Sequence, residues 1–340
     1  MKHKLLVPTL LLLAAFTMGN CTLPRVAITP STETPIPLTP TLDVTPLPPT
    51  AELGLAENPL ILALAPYANS PEQINAAREI ANQMMERTGY VVVTIVPDSY
   101  AALIDALENG NAHIVLLDPL SYALAYQKDL VRAQFAVVND GKIKYGTQFL
   151  APRKGGFISY YGKEVEENTA NADIALAQFN DKKPCWSEET SPSGYVIPLG
   201  LLNQAQVQTR PAAFVGGQTT VVRSLYLGGI CDFGASYIDA RKFPSLENEY
   251  PDLVEQVLVV WRTPEIIPYE VLTFSTQMPQ PMRELFANII PAIFQTDSGN
   301  AAFKTAYDID ALQGINDGDF KDFHVIVEES KVDLLSLISK

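Results

Sequence analysis

The most constraining feature of the sequence is a regular alternation of short apolar segments with capped helical segments, which starts near residue 58. Residues 91–97, VVVTIVP, are β-branched and nearly unbroken, as in a strand that is buried on both faces. Before them, Ser70 can cap a helix that has Pro71 in its first turn and Gly89 at its end. The alternation continues with helical segments at 98–110 and 119–129 around an apolar run at 111–118. This pattern predicts an α/β fold with parallel strands.

The pattern returns in a second region. Residues 98–119 and 217–238 both run from a polar cap through a helix and a glycine turn to a strand. This similarity predicts two α/β lobes with a cleft between them. Because ligands bind beyond the carboxyl ends of parallel strands, we expect four turns to face that cleft. These turns are 98–100, 118–121, 189–194 and 216–220.

The first 57 residues differ from the rest in composition. MKHK and the apolar run 5–19 form a signal of secretory length, too short to predict a membrane span. Cys21 follows directly, as in a bacterial lipoprotein signal in which the cysteine becomes the lipidated N-terminus; ordinary secretion with cleavage nearby is the alternative. The proline- and threonine-rich stretch that follows predicts an extended tether, which could reach on the order of 100 Å.

The net charge, together with the few cysteines and histidines, argues against several classes of function. The formal net charge of −14 argues against a nucleic-acid partner, because no basic stripe is available to neutralise phosphates. His3, His113 and His324 are far apart and no HExxH or CxxC spacing occurs, so we expect neither a metal site nor a cofactor. Cys185 and Cys231 lie in two candidate strands and are either a disulfide, which an exported protein allows, or two buried thiols.

Three segments in order, ETSPSGYVIP (189–198), FVGGQTTVVRSLYLGGICDFGASYIDAR (214–241) and VVWRTPEIIPYEVLTF (259–274), resemble the phosphate-, phosphite- and phosphonate-binding proteins of ABC importers. The resemblance covers most of residues 58–295. It implies a two-lobed type 2 periplasmic-binding-protein fold, a Venus flytrap in which each lobe is a mainly parallel sheet flanked by helices. We therefore expect a lipoprotein signal peptide at 1–20, a tether at 21–57, lobe 1 at about 58–152 plus 268–340, and lobe 2 at about 153–267.

The resemblance also implies a binding site. In the family, hydroxyl groups at a helix start hold the oxyanion, two tyrosines line the cleft, and acids meet a ligand amine. Carried onto this sequence, the ligand-binding set is Tyr100, Tyr145, Ser191, Ser193, Gln218, Asp239 and Glu270.

Each of these residues also has a structural interpretation. Ser191 could simply cap the helix with Pro192 in its first turn, and Asp239 could cap a turn or pair with Arg241. The family pattern has threonine at Pro192 and histidine at Gln218, so fewer donors and less positive charge remain for a bare dianion. With Asp239 and Glu270 both acidic, we expect a zwitterionic aminoalkylphosphonate-like solute in preference to phosphate.

The resemblance implies an extracytoplasmic, monomeric solute-binding lipoprotein that passes a small oxyanion to an ABC permease and ATPase. It would be lipid-anchored on the outer face of the cell membrane or lie in the periplasm, and it would not be an enzyme. The alternatives are a ligand-sensing lipoprotein and an enzyme with Ser193 as nucleophile. No G-x-S-x-G surrounds Ser193 and no histidine lies near it in the sequence, which argues against the enzyme.

Overall fold

The computed structural model describes residues 52–339, so the predicted signal peptide, Cys21 and nearly all of the predicted tether lie outside the described residues. The strands in chain order are β1 (Leu60–Ala63), β2 (Val92–Ile95), β3 (Ile114–Leu117), β4 (Val131–Val137), β5 (Lys144–Tyr145), β6 (Thr147–Pro152), β7 (Tyr161–Gly162), β8 (Glu167–Asn168), β9 (Pro184–Trp186), β10 (Ala213–Phe214), β11 (Phe233–Tyr237), β12 (Val257–Arg262), β13 (Ile267–Pro268), β14 (Val271–Ser275) and β15 (Leu312–Gly314).

The α-helices in chain order are α1 (Pro71–Thr88), α2 (Tyr100–Glu108), α3 (Pro119–Gln127), α4 (Ala172–Leu176), α5 (Ile197–Gln204), α6 (Gln218–Leu227), α7 (Pro244–Glu249), α8 (Leu253–Gln256), α9 (Gln280–Phe294), α10 (Asp297–Tyr307), α11 (Lys321–Ser330) and α12 (Leu334–Ile338). None of the helices within residues 52–339 is long and apolar enough to cross a membrane.

Two separate sheets define two lobes, so the predicted two-lobed α/β architecture is confirmed. The first sheet has the order β15-β4-β14-β3-β1-β2 and the second has the order β10-β9-β11-β6-β12. Both are mixed rather than mainly parallel, because β14 runs antiparallel to β3 and β4, and β6 runs antiparallel to β11 and β12. β6 and β14 enter a sheet directly after the chain has crossed from the other lobe, and β15 also runs antiparallel to its neighbour β4.

The two crossings lie side by side. β5 and β13 connect the lobes and pair with each other in antiparallel register, Ile267 opposite Tyr145 and Pro268 opposite Lys144. Since β6 already belongs to the second sheet, the first crossing lies at about residue 146 rather than at the expected boundary of 152.

The C-terminal helices contact both lobes, which corrects the assignment of 268–340 to lobe 1 alone. α11 packs on α5 of the second lobe, and a Cβ built on Gly200 would lie 2.1 Å from the Ile326 carbonyl oxygen. The Asn203 side chain donates to the Glu329 carbonyl at 2.9 Å. α12 instead packs on α2 and α3 of the first lobe. The C-terminal segment is therefore a further link between the lobes.

One apolar cluster fills the space between the first sheet and α1, α9 and α10, and another lies under α6 in the second lobe. A third runs from the first lobe into the second and includes Phe149, Phe233 and Phe323. A disulfide joins Cys185 of β9 to Cys231, just before β11, with 5.6 Å between their Cα atoms.

Candidate functional site

The segment that follows β9 begins as a capped helical turn. The Ser191 hydroxyl accepts a hydrogen bond from the Gly194 backbone N–H at 3.0 Å, and Pro192 occupies the first turn. This is the arrangement that the capping interpretation predicted. A helix start can bind an anion through backbone N–H groups that have no partner within the helix.

Pro198 shapes this turn. It has no N–H to donate four residues back, so the carbonyl of Gly194 accepts instead from the Ser187 N–H at 3.3 Å. The Val196 N–H reaches five residues back to the Ser191 carbonyl at 3.1 Å. The chain therefore makes a wider π-helical turn before α5 begins, a form that is frequent at functional sites.

Gln218, the first residue of α6, holds the serines of this turn. Its Nε2 group donates to the Ser191 hydroxyl at 2.8 Å and to the Ser193 hydroxyl at 3.3 Å. Its Oε1 atom accepts from the backbone N–H of Tyr237 at 3.1 Å. The sequence predicted Gln218 as a helix cap or a donor to the ligand, and the structure connects it directly to both predicted serines.

These groups open into a cavity of about 370 Å³ between the helix start and the connecting strands. Its lining residues are Tyr145, Ser191, Pro192, Ser193, Gln218, Tyr237, Ile238 and Tyr269. Tyr145 and Tyr269 come from the two crossings, with ring centroids 5.1 Å apart. The Tyr145 hydroxyl is within hydrogen-bonding reach of the Ser193 side chain. The lining thus contains hydroxyls and one amide but no lysine, arginine or histidine.

Acidic and phenolic groups of the first lobe act on the tyrosines of this region, although two of them, Tyr67 and Glu270, line a separate cavity of about 400 Å³. Burial raises the pKa of Tyr100, at the start of α2, and the nearby Asp118 raises it further. Burial also raises the pKa of Tyr67 to about 12, with Glu270 the next contributor. Burial is the main cause of the raised pKa of Tyr145 as well, and Glu270 and Asp118 add to it. Tyr100, Tyr145 and Glu270 therefore lie in one electrostatic neighbourhood.

Asp239 lies apart from this neighbourhood. Its carboxylate contacts Arg241 at 2.5 Å and Arg262 at 2.8 Å, and its side chain is only 7% exposed. Burial opposes its charge, but the hydrogen bonds and charge of Arg241 outweigh burial and lower its pKa to about 2. The structure thus shows the pairing that was the alternative to a ligand contact, and it does not place Asp239 among the cavity-lining residues.

Sequence reasoning missed three residues. Asp118 caps α3 by accepting from the Leu120 N–H at 2.9 Å, and it lies in one of the turns predicted to face the cleft. Tyr237 ends β11, so its place at a strand's carboxyl end was a usable signal. Tyr269 had no local signal, because only the pairing of β5 with β13 brings it to Tyr145.

The cavity at the serines is not the largest concave site in the described residues. A larger groove of about 770 Å³ lies along α3 and α11, with Tyr126, Arg132, Asp317 and Glu328 among its lining residues. Arg132 is paired with Asp129 at 2.6 Å and Asp317 accepts from the Tyr122 hydroxyl at 2.9 Å, so these three charged groups already have partners. Within residues 52–339, no cluster of three or more His, Cys, Asp or Glu side chains could hold a metal ion.

The chain is similar to known proteins in sequence and in fold. A family model described as "ABC transporter, phosphonate, periplasmic substrate-binding protein" matches residues 62–320. The phosphate-import protein PhnD of Mycolicibacterium smegmatis is 24% identical over 190 residues, which are 52% of this chain and 54% of that protein, so the alignment spans about half the length of this curated relative. The structure of XAC2383 from Xanthomonas citri bound to ATP matches with a TM-score of 0.59 at 15% identity, over 80% of this chain and 98% of that one.

Proposed function

Because the chain belongs to the family of ABC transporter phosphonate periplasmic substrate-binding proteins, we propose that it captures a small phosphorus oxyanion between its lobes and delivers it to an ABC permease. The solute would be of the phosphonate, phosphite or phosphate class. Proteins of this family bind and hand over substrates, and the chain is a transport protein rather than an enzyme.

The observation that carries the proposal is the cluster of donors at the start of the π-helical turn. Hydroxyls of Ser191 and Ser193 stand at a helix start, and both residues line the cavity. A helix start favours anions through its backbone N–H groups and through the positive end of the helix dipole. Hydrogen bonds to a charged oxygen contribute about 1.5–3 kcal/mol each, so a few such donors suffice for useful affinity.

The connecting strands supply a means of closure. Tyr145 and Tyr269 lie on the two crossings between the lobes, and both line the cavity. A hinge of this kind lets two rigid lobes close on a solute. We propose that Tyr100, at the start of α2, and Glu270 then approach the solute from the first lobe.

The acidic side of the cavity supports an amine-bearing solute. Asp239 is held by two arginines, so it no longer supports the predicted ammonium site. Glu270 remains, and Asp118 joins it, because both influence the same tyrosines. An aminoalkylphosphonate would then place its oxyanion at Ser191 and Ser193 and its ammonium group towards these two acids.

Anchoring through Cys21 belongs to the same proposal. A lipidated Cys21 followed by the proline-rich tether would keep the binding lobes beside the permease. In cells, Cys21→Ser should move the protein into the soluble fraction. Unchanged, detergent-requiring membrane association of Cys21→Ser would show that the apolar run 5–19 itself is retained as the anchor.

Calorimetry with phosphate, phosphite, methylphosphonate and aminoethylphosphonate tests the binding function. Ser191→Ala and Ser193→Ala should each weaken the best of these ligands by ~10-fold or more. Ser70→Ala is the matched control, because Ser70 caps α1 through the Gln73 N–H at 3.2 Å but lies outside the cavity. It should lower stability by ~1 kcal/mol and leave affinity unchanged. If no phosphorus oxyanion binds to the wild type, the proposed function is wrong.

A further inference from the structure

The orientation of the Gln218 amide is fixed by a backbone group. The Tyr237 N–H can only donate, so the Gln218 atom that it meets at 3.1 Å must be the oxygen Oε1. The Nε2 group therefore faces the serines and donates to them. No rotation of the amide keeps the Tyr237 bond and reverses this direction.

This direction decides what Ser191 can do. Its hydroxyl oxygen accepts from the Gly194 N–H at 3.0 Å and from Gln218 Nε2 at 2.8 Å, which occupies both of its lone pairs. Only its proton remains, so Ser191 can offer the cavity a hydrogen-bond donor and no acceptor. The Ser193 hydroxyl also accepts from Gln218, at 3.3 Å. Ser191 thus recognises an oxygen that carries no proton.

The charges around the cavity limit how negative its solute can be. The lining residues include no lysine, arginine or histidine, and burial raises the pKa of the lining tyrosines Tyr145, Tyr237 and Tyr269, which keeps them neutral. The charged groups that act on these tyrosines are Asp118 and Glu270 at Tyr145, Asp239 at Tyr237, and Asp140, Glu265, Glu270 and Lys142 at Tyr269. The one cation among them, Lys142, is paired with Glu265. The guanidinium groups behind Ile238, Arg241 and Arg262, are already bound to Asp239.

We propose that this site selects the singly charged form of a tetrahedral oxyanion, and that Gln218 is the positioning residue that sets this selectivity by making Ser191 a pure donor. The inference rests on the proposed function and specifies the form of its solute. The unprotonated oxygens of the solute accept from the serines and the helix start. Its protonated oxygen turns towards the acidic first-lobe side, where a second negative charge would meet carboxylates, and the nearby cations Lys142, Arg241 and Arg262 are already paired with acids.

Three inorganic anions that differ in ionisation test the inference by calorimetry from about pH 5.5 to about pH 8.5. Phosphate changes from singly to doubly charged in this range, sulfate is doubly charged throughout, and phosphinate is singly charged throughout. We expect phosphate affinity to fall by ~10-fold per pH unit above its second pKa, because the singly charged fraction falls by that factor. Phosphinate affinity should stay constant, and sulfate should not bind. Titration of a protein carboxylate would instead change phosphinate binding as well.

Gln218→His is the informative variant, with Gln218→Met as its uncharged control. Histidine gains a positive charge below its pKa of about 6.5, so Gln218→His should bind sulfate at acidic pH and lose it above neutrality. Gln218→Met should weaken phosphate by ~10-fold at every pH, without sulfate binding. A thermal unfolding scan of each variant identifies any loss of fold.

The outcomes separate the inference from the function on which it rests. Phosphate affinity that is constant or rises with pH, or sulfate that binds the wild type as tightly as phosphate, overturns the inference while the binding function stands. The wild-type pH series decides this even if both variants unfold. If the four phosphorus ligands of the calorimetric test and phosphinate all fail to bind at every pH, the proposed function itself fails.

Discussion

Asp239→Asn tests whether Asp239 is a ligand acid or the centre of a structural ion pair. One carboxylate oxygen of Asp239 accepts hydrogen bonds from Arg241 at 2.5 Å and from Arg262 at 2.8 Å. The other oxygen accepts from Gln148 at 2.7 Å. Asparagine at this position keeps one acceptor oxygen. Its NH₂ group, which is a donor, would face a neighbouring group that is also a donor. It leaves two guanidinium groups, 4% and 15% exposed, without a counter-charge.

Breaking such a buried pair from one side costs about 3–5 kcal/mol. For a domain of this size that is a fall in the unfolding midpoint on the order of 10 °C, measured by calorimetry or circular dichroism. The matched control is Asp181→Asn, whose partner Arg210 is 3.0 Å away but whose side chain is 75% exposed. That variant should leave the midpoint almost unchanged, because water already screens the pair.

The pH dependence of stability gives an independent measure of the Asp239 ion pair. The folded-state pKa of Asp239 is about 2, below the ordinary value of 3.8, so its contribution to stability is present above pH 3.8 and is lost as the pH falls towards 2. The difference in pKa corresponds to about 2 kcal/mol. The stability gap between wild type and Asp239→Asn should therefore narrow over that acidic window. It should not change between pH values of about 5 and 8.

Ligand binding tests whether Asp239 also contacts the solute. At a temperature where the variant is folded, Asp239→Asn should bind phosphate and an aminoalkylphosphonate with affinities within ~3-fold of wild type. Normal stability combined with a tenfold or greater loss that is confined to the amine-bearing ligand would refute the structural assignment. The carboxylate would then face the solute, as the family resemblance implied.

Three further changes test other parts of the structure. In Gly194→Ala the new Cβ would lie 2.0 Å from the Ser187 hydroxyl, so we expect a loss of about 1–3 kcal/mol and weaker oxyanion binding, whereas Gly314→Ala, with nothing within 4 Å of its Cβ, should be neutral in both assays. Cys185→Ser opens a bond between residues 46 positions apart and should lower the free energy of unfolding by about 2–4 kcal/mol; equal denaturation midpoints with and without reductant in the wild type would contradict this. Glu270→Gln should weaken aminoethylphosphonate by ~10-fold relative to ethylphosphonate in calorimetry, and an equal loss for both ligands would argue against an ammonium site.

The sequence predicted most accurately where several local signals agree. The helix expected between Ser70 and Gly89 is α1, where Ser70 caps the start in a capping box with Gln73 and Gly89 is in the left-handed conformation at the end. Each of these signals acts within a few residues of the chain. The strand β3 was equally visible, because burial on both faces leaves an unbroken apolar run. The expected burial of β2 on both faces was wrong, because β2 lies at the edge of its sheet and Val93 is 39% exposed.

Features that depend on distant parts of the chain were less predictable. The direction of β6 and the position of the first crossing depend on which sheet the chain joins next. The composition of residues 144–152 does not predict which sheet that is. The partner of Asp239 shows the same limit. Arg241 is two residues away and was considered from the sequence, whereas Arg262 reaches the same oxygen from 23 residues further along the chain.

The two interpretations of Ser191, helix cap and anion ligand, were opposed from the sequence, but under the proposed function they use different parts of one hydroxyl. The oxygen accepts from Gly194 as a cap does, and it accepts again from Gln218. Capping therefore fixes the oxygen, and the amide fills its second lone pair, so the proton is left for the solute. A helix start built in this way is organised for an oxyanion before the solute arrives, and less ordering is required on binding. The stability of the turn and its affinity for a solute are thus two consequences of the same contacts.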